Sequence, residues 1–273
     1  MTVQAAANPE GVAPIVLDIE AAERRHRTGF TLRFMLTWFV ILAAVGVFLA
    51  TTVRINTSFL LEWLPFILGG VWVTLFISVV SIFFAVILAV LGALGRLSTN
   101  PYFNGVASLY VSIVRGTPLI VQILFIFLAL PAAGILVDPL PTGIIALAFN
   151  YGAYLTEVFR AGIQAVPSGQ LEAARALGLP EREVMRKVIL PQAIRIVIPA
   201  VGNDFIAMTK DSALVYVVGV QELLYRAQAA GRPSGQTFST IIVAAIMYWI
   251  LTMVLSFFQA RLERRLAAGD RNR

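Results

Sequence analysis

Arg115, Glu157, Asp204, Lys210 and Asp211 are charged side chains set inside long apolar runs, and Thr117, Gln122 and Asn150 are polar ones nearby. An ionisable group in a membrane span costs roughly 2.5–3.5 kcal/mol on insertion scales, so it normally has a partner or a wet cavity. Two arrangements meet that demand. The charges pair with one another, as Arg115 with Glu157 or Lys210 with Asp211, and hold a bundle together. Alternatively, some of them line a polar path. Pro118, directly after Arg115-Gly116-Thr117, removes a backbone donor and frees a carbonyl near such a path. The chemistry on offer is ionic recognition rather than bond breaking. The chain has no cysteine, and its only histidine, His26, lies in a charged N-terminal stretch. A thiol nucleophile, a Cys-ligated zinc, a His-cluster metal site and a Ser-His-Asp triad are therefore excluded. No catalytic residue and no metal ligand is assigned.

The elements that must position these residues are oily. The 273 residues are 59% hydrophobic and only 13% charged, where soluble domains carry about 25% charged residues. A water-soluble fold has too little core to hide that surface, so the sequence predicts an all-α polytopic membrane protein. Six apolar segments are predicted as transmembrane helices. "FMLTWFVILAAVGVFLATTV" fills the 20 positions of 34–53, between Arg33 and Arg54. A long tilted helix is predicted over 65–94, within the 33 uncharged residues between Glu62 and Arg96. The others are 103–130, 140–159, 194 towards 220, and 238–258. Asp204, Lys210 and Asp211 interrupt the fifth.

Orientation follows from arginine and lysine in the connecting segments. With the N-terminus in the cytoplasm, segments 1–33, 95–102, 160–195 and 259–273 are cytoplasmic and carry 4, 1, 6 and 5 basic residues, 16 of the 21. The opposite side holds only Arg54, Arg226 and Arg232. Both termini and the segment 160–195 are thus placed inside. The net charge of +6 does not indicate nucleic acid, because the basic residues flank apolar spans rather than forming a soluble stripe. Residues 1–28 contain no apolar core of a signal peptide and read as a tail, with a helical turn or two over 18–27.

The most charged stretch is "EAARALGLPEREVMRKVILP", residues 172–191. Ser168, after Pro167, is predicted to cap a helix start, and Leu171 to Leu177 reads as a helical turn and a half. Ala173 and Ala174 leave a smooth face for close approach. Gly178 holds the place of a C-terminal glycine with positive φ, and Pro180 suits the first position of a second helix. Glu181 and Glu183 open that helix, Arg186 and Lys187 close it, and both placements complement its dipole. Val184/Val188 and Met185/Ile189 form an apolar stripe, and Pro191 ends the helix. Two readings of this helix–turn–helix stand: an amphipathic hairpin resting on lipid headgroups, or a docking element for a soluble partner.

The spacing resembles the EAA motif of bacterial ABC importer permeases, E-A-A, three residues, G, nine residues, I-x-L-P. Here it is Glu172-Ala173-Ala174, then Gly178, then Val188-Ile189-Leu190-Pro191, with Val188 at the Ile position. "RGTPLIVQ" (115–122), "NYGAYLTEVFRAGIQAVPSGQLEAARALG" (150–178), "LPQAIR" (190–195), "GNDFIAMTKDSALVYVVGVQELL" (202–224) and "RLERRL" (261–266) resemble the polar amino acid uptake subfamily. The likeness covers residues 60–266, with the loop 160–195 carrying the motif. The segment 34–53 is an additional span, after a cytoplasmic tail of 1–33, and 267–273 is a C-terminal tail.

This resemblance implies a type I ABC importer fold with a cytoplasmic coupling helix, in a bacterial inner or plasma membrane. It implies a non-catalytic subunit that pairs with a second permease, identical or homologous, and whose hairpin sits in a cleft of a homodimeric ATPase. An extracytoplasmic solute-binding protein delivers a polar amino acid or close analogue, and "AGRPSGQ" (230–236) is a candidate contact for it. The chain itself carries no cofactor. It has no G-x-x-x-x-G-K-[ST], since Lys187 follows Arg186 and Lys210 follows Thr209, so ATP and Mg belong to the partner. The coupling residues are Glu172, Ala173, Ala174, Gly178, Val188, Leu190 and Pro191. Arg115, Thr117, Gln122, Asn150 and Glu157 are the first candidates for the substrate path. The rival in another class is an ion-gradient-driven secondary transporter or channel, which keeps the intramembrane charges but has no use for the hairpin. A membrane enzyme comes third, with no catalytic constellation behind it.

Overall fold

The computed structural model describes residues 29–48, 51 and 56–271. The turn predicted over 18–27 lies outside them. The chain divides into two units, Met1–Ile55 and Asn56–Arg273. In the first, helix α1 (Gly29–Phe48) is apolar on all sides and exposed along its length. It starts five residues before the predicted span, and Phe30, Phe34 and Trp38 stack at i, i+4 spacing along one side.

The second unit is built round one buried helix. α2 (Thr57–Leu97) is capped by the Asn56 side chain, which accepts from the Phe59 amide at 3.1 Å. At 41 residues it is longer at both ends than the predicted 65–94. It packs along α5 (Pro139–Gln164) more extensively than any other pair of elements. Gly92 makes room for the Thr156 side chain, which an added Cβ would overlap. Around α5 stand α2, α3 (Pro101–Gly116), α4 (Leu119–Ala132) and α8 (Leu190–Asp211). Its face carries Asn150, Tyr151 and Thr156, all buried against protein. Protein, not lipid, is therefore the solvent of α5, and the helix can afford polar groups that a lipid-facing span cannot.

Two segments differ from the sequence expectation. The third, predicted as one span over 103–130, is two helices, α3 and α4, bent by 110° at Thr117-Pro118. Both linking residues are extended. Pro118 has no N–H to donate and pushes its predecessor out of the helical region, so the helix cannot run through. The fifth begins earlier and ends sooner than 194–220. Its helical backbone is continuous from α7 (Glu181–Glu183) through a π-helical stretch, Val184–Ile189, into α8. Pro191 therefore does not end the coupling helix but sits in the first turn of α8. The wider π turn just before it relieves the clash a proline makes with the carbonyl four residues back. After Asp211 the chain tightens into a 3₁₀ turn, Ser212–Val218, and reverses at Gly219, whose φ is +92°. α9 (Leu223–Gly231) and α10 (Thr237–Arg271) complete the unit.

Among the described residues, three helices are long and apolar enough to cross a membrane: α1, α2 and Thr237–Leu266 within α10. The bent pair α3–α4 makes a fourth if it counts as one span. α5 and α8, predicted as the fourth and fifth spans, do not pass on apolarity, because they carry the polar groups of the interior.

Candidate functional site

The break between α3 and α4 opens a cavity of about 370 Å³. Thr117, Pro118 and Leu119 form one wall, Asn150, Tyr151 and Tyr154 of α5 a second, and Asp204, Ala207 and Asp211 of α8 a third. The α8 residues recur at i, i+3 and i+7, which puts them on one helical face. The cavity lies within the usual range of ligand sites, about 300–1,000 Å³.

Gln122 secures the broken backbone. Its Nε2 donates to Val114 O (2.8 Å), Thr117 O (3.1 Å) and Thr117 Oγ1 (2.8 Å), so carbonyls released by the bend find a donor. Gln122 Oε1 accepts from Asn150 Nδ2 at 3.2 Å, which ties α4 to α5. The first amides of α4 have no intrahelical acceptor and give that wall a positive end. Tyr151 donates its hydroxyl to Asp211 Oδ2 at 2.7 Å. The Arg115 guanidinium lies over the Tyr154 ring, 5.3 Å from its centre.

Of the sequence-predicted path residues, Thr117 and Asn150 line the cavity, Gln122 bonds both from behind, and Arg115 reaches it through Tyr154. Glu157 does not join them. It accepts from Arg96 Nε at 3.1 Å and from Arg160 Nη2 at 2.7 Å, a bridge between α2 and α5 two turns further along. Arg96 also donates to Ser108, extending that bridge to α3. Arg115 thus stacks on an aromatic ring instead of pairing with Glu157. Asp211 bonds Tyr151, and its neighbour Lys210 is exposed. Asp204 and Asp211 were read from sequence as interruptions of a span and as charges that pair or line a path, but not among the first candidates for that path. Their spacing of seven was the available signal that they share a face.

At the other end of α5 the hairpin forms a structure of its own. α6 (Ser168–Ala176) starts three residues before the predicted Leu171, with Pro167 in the capping place and Ser168 already helical. Gly178 has φ +74°. Its amide donates to Arg175 O (2.9 Å) and the Leu179 amide to Ala174 O (3.2 Å), the paired bonds of a Schellman turn. Nothing lies within 4 Å of where a Gly178 Cβ would point, so backbone conformation and not space demands glycine there. Val166, Ala174, Val184 and Ile189 form a small core with Leu171, Leu179 and Val188 packed on it. The π spacing turns Met185 outward, away from the predicted stripe. Glu172, Ala173, Leu190 and Pro191 are exposed, Ala174 is buried and Val188 is half-buried. Arg175 and Glu181 pair across the turn at 2.8 Å. That guanidinium holds the Glu181 carboxyl below its ordinary pKa.

A polar cavity at a broken helix beside a buried helix, with an exposed rigid hairpin, defines a helical membrane permease. The profile of binding-protein-dependent transport system inner membrane components matches residues 85–268, and the chain belongs to that family. It is 42% identical over 203 residues to the L-cystine transport system permease protein TcyB of Bacillus subtilis, covering 74% of this chain and 87% of that one. It is 37% identical to the arginine transport system permease protein ArtQ of Bacillus subtilis, covering 80% of this chain and all of that one. A crystal structure of an amino acid ABC transporter with histidines superposes with TM-score 0.75 at 37% identity, covering 78% and 99% of the two chains. The MetNI methionine ABC transporter, at 23% identity and TM-score 0.63, shares the fold. That fold is the all-α type I ABC importer permease. α1 lies outside the matched residues.

Proposed function

We propose that this chain forms half of the membrane path of an importer for polar amino acids, and that the cavity between α4, α5 and α8 is where the solute rests. The observation that carries this reading is the mixed lining of that cavity, in a family whose similar members include an arginine and an L-cystine permease. Thr117, Asn150, Tyr151 and Asp211 offer the donors and acceptors that an α-ammonium and an α-carboxylate need. The positive end of α4 and Arg115 suit the carboxylate.

The energy comes from a separate homodimeric ATPase that binds ATP and Mg and grips the hairpin around Glu172, Ala173 and Gly178. A second permease completes the path, and an extracytoplasmic binding protein delivers solute. ATP closes the ATPase dimer, the hairpin carries that motion, and the cavity turns outward; hydrolysis and product release return it inward. The chain sits in a bacterial inner membrane with both termini in the cytoplasm. Its six spans are α1, α2, the α3–α4 pair, α5, α8 and α10, with 1–33 and 267–273 as tails and 60–266 as the permease domain.

The test is purification with the co-expressed ATPase and binding protein, followed by solute-stimulated ATP hydrolysis across the twenty amino acids. Stimulation by a polar subset is expected. Accumulation of solute by the permease alone, without an ATPase, would refute the reading in favour of an ion-driven transporter.

A further inference from the structure

We propose that the cavity selects amino acids with a cationic side chain, and that Asp204 is the residue that meets the side-chain cation. The proposal rests on the reading of the cavity as the solute site.

The argument begins with charge. Two carboxylates, Asp204 and Asp211, line the cavity, and one cation, Arg115, stacks on its Tyr154 wall. Lys210 is one residue from Asp211, hence turned about 100° away from the face that carries Asp204, Ala207 and Asp211, and it is exposed. An α-amino acid with a neutral side chain brings one positive and one negative group. Its ammonium meets one aspartate and its carboxylate meets Arg115 and the first turn of α4. The second aspartate then stays uncompensated among apolar helices, a costly arrangement. A second cation on the solute removes that cost.

The two aspartates are not equivalent. Asp211 already accepts the Tyr151 hydroxyl, which fixes its orientation beside Asn150 and the α4 wall. That is the fit for the constant part of any amino acid. Asp204 receives no hydrogen bond from any described residue, although it is half-buried and lines the cavity. Its partner has to come from outside the described chain.

Spacing agrees with charge. Seven residues of α-helix separate the two Cα atoms by about 10.5 Å along one face. The α-nitrogen and the terminal nitrogen are about 7 Å apart in extended lysine and about 8–9 Å in extended arginine by ordinary bond lengths. With a hydrogen bond of about 2.8 Å at each end the reach is about 12–13 Å for lysine and longer for arginine, enough to bridge that separation. Between the two acids the face carries Ala207, whose single methyl leaves room for a hydrocarbon stem.

Citrulline is the informative probe, because it has the shape of arginine and no charge. The permease, assembled with its ATPase in lipid nanodiscs and without binding protein, is titrated with radiolabelled L-arginine against unlabelled lysine, citrulline and glutamine. Omitting the binding protein leaves discrimination to this cavity. Arginine and lysine are expected to compete at least about tenfold better than citrulline, the scale of one charged hydrogen bond. In Asp204→Asn the arginine-to-citrulline ratio should fall to within about twofold, and Asp204→Glu should retain it. Should Asp204→Asn fail to assemble, the wild-type and Asp204→Glu ratios decide. Equal competition by arginine and citrulline in the wild type, an unchanged ratio in Asp204→Asn, or no saturable arginine binding overturns the proposal. If the full complex nevertheless imports a neutral or acidic amino acid on ATP, only the cation assignment falls. If none of the twenty stimulates hydrolysis, the importer reading falls with it.

Discussion

The cavity at the α3–α4 bend and the hairpin between α5 and α8 solve opposite problems. The cavity lies among buried helices yet keeps polar groups with spare bonding capacity, Asp204 above all. The hairpin stands exposed yet satisfies itself: it has its own apolar core, a fully bonded Schellman turn and an ion pair across that turn. A surface that waits for a small ligand leaves capacity unspent. A surface that must carry force cannot, because slack in the turn absorbs the motion it should transmit.

That contrast can be broken at several points. The largest effect is expected from Gly178→Val. A β-branched residue at φ +74° costs of order 1–3 kcal/mol in local strain. The turn should reopen and ATP-driven uptake should fall by at least about tenfold, with membrane level unchanged on a blot. Normal uptake at normal level would remove the coupling role. Next comes Glu157→Gln. It leaves Arg96 and Arg160 without their carboxylate, at about 1–3 kcal/mol. Thermal stability in detergent should drop while the arginine-to-citrulline ratio stays put, which separates the α2–α5 bridge from the cavity. Gly92→Ala should cost about 1–3 kcal/mol by overpacking Thr156, whose Oγ1 is bound to Gly152 O at 2.8 Å and cannot easily yield. Its readout is the same melt.

The smallest effect concerns Glu181. Arg175 holds its carboxyl below the ordinary value, so the pairing contributes above the unfolded pKa and is lost as pH falls through the folded one. Both groups are fully exposed and screened. Coupled ATP hydrolysis should therefore soften only slightly at acid pH, and Glu181→Gln should flatten that slope. A large acid-dependent loss that survives Glu181→Gln would place the titrating group elsewhere.

The hairpin was legible in sequence because its signals are local. Gly178, Pro180 and the charges on either side act within one turn of the chain, and the structure departs from the reading at Ser168, at Pro180, which caps the second helix instead of opening it, and at Met185 and Pro191. The apolar runs were legible for the same reason. The third segment was misjudged because hydropathy counts carbon and does not register a bend, although Thr117-Pro118 marks the place. Of the two partners of Glu157, Arg160 is a local i, i+3 neighbour, but Arg96 was out of reach at 61 positions away, with Arg115 the nearer rival by span order. Tyr151 has no local signal of its role, which appears only when α8 brings Asp211 to its hydroxyl. Asp204 and Asp211 carried a readable interval, but an interval becomes a site only when the opposite wall is known.

The unbroken helical backbone from Glu181 to Asp211 gives the molecule something like a camshaft. Its outer end is the surface that projects into water; its inner end bears Asp204 and Asp211 as lobes. Side chains reach about 5 Å from a helix axis, so turning the shaft by 20° sweeps both carboxylates through about 2 Å. That is enough to make or break every bond they offer. In the proposed importer, a twist applied at the far end would reach the two carboxylates along this one helix.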